Sequence, residues 1–122
     1  MVMHSSEKLE ELVEAFASAV SGQNQAIERR DVVTGNMWAL KCGAAAKELL
    51  GQGKNGLEAF AKLLGDSRRD VKTMAAAFLI PFRTIESKAI LEESAEGYGV
   101  VALGAKVALQ RWEEEGKGID LT

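Results

Sequence analysis

The chain has 122 residues, enough for one domain that buries its own core. Apolar residues make up 47% and charged residues 27%, which is typical of a folded soluble protein and excludes disordered and collagen-like classes. The net charge of −3 argues against a dedicated nucleic-acid-binding domain, because such domains are usually strongly basic. We therefore expect a single domain over residues 1–122.

The first half of the chain predicts two helices. Over residues 6–30, apolar residues recur at steps of three and four, the spacing of one helix face. They are Leu9, Leu12, Val13, Phe16 and Val20. Gly22 is expected to loosen or kink this helix.

Residues 32–50 carry apolar residues on two sides of the second helix. One stripe comprises Val33, Met37, Leu40 and Ala44, and the other comprises Trp38, Cys42, Ala45 and Leu49. Because a helix that is apolar on two sides is normally packed on both, we interpret it as the central helix.

The second half predicts four more helices, over residues 56–64, 68–80, 85–95 and 99–115. Pro81 ends the second of these, since proline cannot donate the next backbone hydrogen bond. Asn55 with Glu58, and Ser67 with Asp70, resemble capping pairs. Gly104 lies inside the last helix, where we expect another backbone to pass close by.

The helices pair into a repeating plan. Residues 56–80 form a helix, a turn and a second helix, and residues 85–115 repeat this order at a spacing of about 30 residues, which is within the range of helical-repeat units. No segment alternates polar and apolar residues as a strand does. We therefore predict an all-α fold of about six helices in antiparallel pairs, with residues 1–5 and 117–122 as flexible tails.

A resemblance refines this fold class. Residues 63–76 read LLGDSRRDVKTMAA, which resembles the turn and second helix of a HEAT repeat. The motifs LVEAF (12–16), AILE (89–92) and ALQRW (108–112) extend the likeness over nearly the whole chain. The chain resembles a bacterial family known as domain of unknown function 2019. That resemblance implies a HEAT-like, right-handed superhelical bundle and no established activity.

Residue types used in catalysis and metal binding are scarce. His4 is the one histidine, and it lies in the predicted N-terminal tail, so zinc hydrolases and histidine-based triads are not expected. Cys42 is the one cysteine and is predicted to be a small core residue. We expect no cofactor, no metal and no enzymatic activity. An alternative is an enzyme or ligand carrier with a glutamate or aspartate base in a pocket between helix pairs.

The expected cellular compartment follows from the targeting and membrane-spanning segments that residues 1–122 do not contain. There is no basic segment followed by an apolar run near the N-terminus, and no apolar stretch approaches the ~20 residues needed to cross a bilayer. A single cysteine fits a reducing compartment. We therefore expect a cytoplasmic protein that does not enter the membrane.

Charge is distributed in bands along the chain. Residues 54–88 carry a net charge of +3, between flanks of −2 and −4. The candidate interaction patch in this basic band comprises Arg68, Arg69, Lys72 and Arg83. It is either a solvated face with local ion pairs to Asp66 and Asp70 or a docking site for an acidic partner.

Two functions are compatible with these features. The first is a non-enzymatic protein-interaction module that presents its later helices to a protein partner, including a second copy of itself. The alternative is a nucleic-acid-binding module in which the basic patch contacts phosphates.

Overall fold

The computed structural model describes residues 5–119, and within that range the chain is helical with no strand. This confirms the predicted all-α class and the predicted number of helices. The six helices are α1 (Ser5–Glu28), α2 (Val32–Gly51), α3 (Gly53–Ala61), α4 (Arg69–Leu79), α5 (Thr84–Ala95) and α6 (Gly99–Glu115).

Most helix bounds agree with the sequence to within one or two residues, and those of α6 are the same. The exception is α3, which begins three residues earlier than predicted and ends at Ala61. A short 3-10 helix, Lys62–Gly65, follows it and holds the buried Leu63 and Leu64. The apolar stripe of residues 56–64 is therefore shared by two helix types.

The chain divides into two compact units, Met1–Lys62 and Leu63–Thr122. The described part of unit 1 contains α1 to α3, and that of unit 2 contains α4 to α6. Residues 1–4 and 120–122, most of the predicted tails, lie outside the described residues. After α6, Gly118 comes close to Pro81, because a Cβ added to this glycine would lie 2.9 Å from the proline Cγ. The single-domain prediction stays a prediction.

Unit 1 is built on an antiparallel pair formed by α1 and α2. Where α1 begins and α2 ends, Lys8 Nζ lies 3.3 Å from Glu48 Oε1. At the other end of the pair, where the turn joins the two helices, Ala26 lies beside Gly35. The core includes Phe16 of α1 and Phe60 of α3, both fully buried. Their rings meet edge to face with centroids 4.8 Å apart, a favoured aromatic arrangement.

Gly22 has a different role from the predicted one. Helix α1 continues through Gly22 to Glu28 without interruption. A Cβ at this position would lie only 2.6 Å from Trp38 Cε2, well inside contact distance. Glycine is used here because the indole of Trp38 packs directly on the α1 backbone.

Unit 2 packs α4 against α5 and α6. The middle of α4 is buried from Thr73 to Leu79, except for the half-buried Met74. Small residues line the contacting face of α6, where Ala102 and Ala105 are buried. Small side chains allow helix axes to approach closely, which is how short helices such as these form a core.

Gly104 does not have the close neighbour that its sequence context suggests. It is exposed, and nothing outside its own helix lies within 4 Å of a Cβ built there, so the expected passing backbone is wrong for the described residues.

We expect Gly104→Ala to raise the free energy of unfolding by about 1 kcal/mol, since alanine loses less backbone entropy in a helix. Urea unfolding followed by far-UV circular dichroism measures this change. A loss of stability would mean that Gly104 meets a neighbour in the folded protein.

Candidate functional site

Helix α2 is apolar on two sides but is packed on only one of them. On the first stripe, Val33 is 81% exposed and Leu40 76% exposed, whereas Leu49 of the second stripe is fully buried. The prediction that α2 is packed on both sides is therefore wrong. We call Val33, Met37, Leu40 and Ala44 the α2 outer face.

The outer face is a continuous strip and not a scatter of residues. At 3.6 residues per turn, its four side chains fall within an arc of about 60°, and from Val33 to Ala44 they span about 16 Å. The buried residues of α2, which include Gly35, Cys42 and Leu49, lie on the opposite side of the helix. A strip of this length equals about three helical turns of uncovered apolar surface.

More apolar surface adjoins the N-terminal end of the strip. Val32 and Ile27 are both exposed there. They line an open hollow of about 210 Å³ whose other lining residues include Arg30 and Asn36. None of the outer-face residues lines this hollow, so it is a separate exposed apolar area at the same end of α2. Contiguous apolar surface such as the outer face marks interaction sites, whereas single exposed apolar residues need no explanation.

Charged residues of both signs lie around the outer face. Lys41 lies on one flank with its Nζ 4.8 Å from the centroid of the Trp38 ring, a cation–π contact. Lys47 continues the line of the strip toward the end of α2, where it is exposed. Arg30 lines the hollow at the other end. Arg30 and Lys47 are each followed in the sequence by an acid, Asp31 and Glu48, so both signs of charge occur at each end of the strip.

Asp31 and Glu48 both have partners within unit 1. Asp31 caps α2 by accepting a hydrogen bond from the Thr34 backbone N–H at 3.1 Å, and this bonding lowers the pKa of Asp31. Glu48 pairs with Lys8 across the α1–α2 pair. The lowered pKa keeps Asp31 ionised, so the hydrogen bond from Thr34 does not remove its negative charge.

The predicted basic patch lies in unit 2, and two of its arginines have structural partners. Arg68 forms a bidentate pair with Asp66, with Nε 2.9 Å from Oδ1 and Nη2 3.0 Å from Oδ2. The hydrogen bonds from Arg68 lower the pKa of Asp66. Arg69 donates from Nη2 to the Ser94 carbonyl oxygen at 2.8 Å and so ties α4 to the end of α5.

The other two residues of the patch, Lys72 and Arg83, lie apart from each other. Lys72 lines a hollow of about 430 Å³ with Arg69, but Glu93 and Glu96 line the same hollow. Arg83 follows the C-terminal end of α4, so it is separated from Arg69 by the helix length of about 15 Å. The structure brings Arg68, Arg69 and Lys72 together at the start of α4 and leaves Arg83 at its other end.

The other exposed apolar residues of unit 2 do not form a comparable strip. Phe82 lies in the turn before α5, Ile85 on α5, and Tyr98 in the turn between α5 and α6. On α6, Leu103 and Val107 share a face, but Gln110 and Glu114 continue it with polar groups.

The candidate residues for catalysis or metal binding in the sequence are Cys42, His4 and the acidic side chains. Cys42 is buried as predicted, and burial raises the pKa of its thiol to about 12, which disfavours the thiolate form. His4 lies outside the described residues. Between residues 5 and 119, no group of three histidine, cysteine or acidic side chains is placed to hold a metal ion.

A groove between α1 and α3 also has ionisable walls. It encloses about 590 Å³, with Leu9 and Val13 among its apolar lining and Glu10, Glu14, Glu58 and Lys62 among its charged lining.

No protein-family model, curated protein or solved structure matches the chain. In addition, none of the helices in the described range has the length and apolarity that crossing a bilayer requires.

Proposed function

We propose that this protein is a non-enzymatic protein-interaction module and that the α2 outer face is its binding surface. The exposure of this face supports the proposal. Val33 and Leu40 would each contribute about 1.5–3 kcal/mol if a partner removed them fully from water, and the protein itself leaves them uncovered. Surfaces of this kind usually serve association.

The location proposed here differs from the one suggested by the sequence. Charge banding favoured the later helices, but Arg68 and Arg69 contribute to holding unit 2 together. We therefore propose α2, and not the later helices, as the binding surface. The HEAT-like resemblance remains compatible with it, because helical repeats commonly bind proteins along exposed helices. We also propose that the protein is cytoplasmic.

Affinity capture with a matched pair of variants tests the proposed function. The bait is the full chain, and Leu40→Glu places a charge in the middle of the outer face. Ile85→Glu is the control, because Ile85 is 87% exposed on unit 2 and receives the same change. We expect the wild type and Ile85→Glu to retain the same partner from a lysate of the source cells, and Leu40→Glu to lose it.

Circular dichroism establishes that the three baits are equally helical before capture. If all three retained the same proteins, or if none retained any, the outer face would not be a binding surface.

A further inference from the structure

We draw no further inference here: the strongest candidate, the occupant of the exposed apolar strip along α2 in unit 1, is not selected by charge, because both signs occur at each end of the strip, and nothing in the structure shows what covers it.

Discussion

Phe16→Ala is expected to lower the free energy of unfolding by about 3–5 kcal/mol, because it removes a fully buried aromatic ring and leaves a cavity. Phe16 of α1 meets Phe60 of α3 edge to face, so the change also removes an aromatic pair between the first and last helices of unit 1. Domains of this size are stable by only about 5–15 kcal/mol, so the loss is a large share of the total.

Urea unfolding monitored by circular dichroism at 222 nm measures this change. Phe82→Ala is the matched control, since Phe82 is 50% exposed and follows α4 in unit 2. We expect the control to change stability by less than about 1 kcal/mol. Equal effects from the two substitutions would mean that Phe16 is not part of a packed core.

Gly56→Ala is expected to destabilise the protein by about 2–3 kcal/mol, because there is no room for a methyl group at this position. An added Cβ would collide with the backbone carbonyl oxygen of Leu49 and would lie 2.8 Å from the Cβ of Gln52. Only Gln52 separates α2 from α3, so the two helices cannot move apart without breaking this junction.

Gly43→Ala provides the contrast within unit 1. Nothing outside its own helix lies within 4 Å of a Cβ at Gly43, so we expect a gain of up to about 1 kcal/mol from improved helix propensity. Thermal or urea unfolding of both variants gives the comparison. If Gly56→Ala also proved neutral or stabilising, the tight junction between α2 and α3 would be incorrect.

The helices could be predicted because their signals are local. Apolar residues at steps of three and four indicate a helix whether or not another element packs on them. Pro81 ends α4 because proline has no backbone N–H to donate. A helix cap depends on side-chain hydrogen bonds that sequence spacing alone does not determine, and the predicted cap of α4 is wrong. Ser67 and Asp70 do not form the predicted pair: α4 begins after Arg68 without a side-chain cap, and the Asp70 carboxylate instead accepts from the Val71 N–H.

The binding surface could not be predicted, because an apolar stripe does not reveal what covers it. Val33 and Leu40 have the same helical spacing as residues of the second stripe, and only the positions of α1 and α3 decide which stripe is buried. Glycines carry the same ambiguity. Gly22 and Gly104 both lie inside helices, yet one contacts Trp38 and the other faces open space.

Thiol labelling tests most directly whether α2 leaves one apolar face open. With Cys42→Ala as the background, cysteine is placed at position 40 or at position 49, and its reaction rate with a thiol reagent is compared with that of the unfolded chain. We expect Leu40→Cys to react within about tenfold of the unfolded rate. Leu49→Cys should be slower by a thousandfold or more, equivalent to an opening free energy of about 4 kcal/mol. Protection of Leu40→Cys to the same degree as Leu49→Cys would show that the outer face is covered.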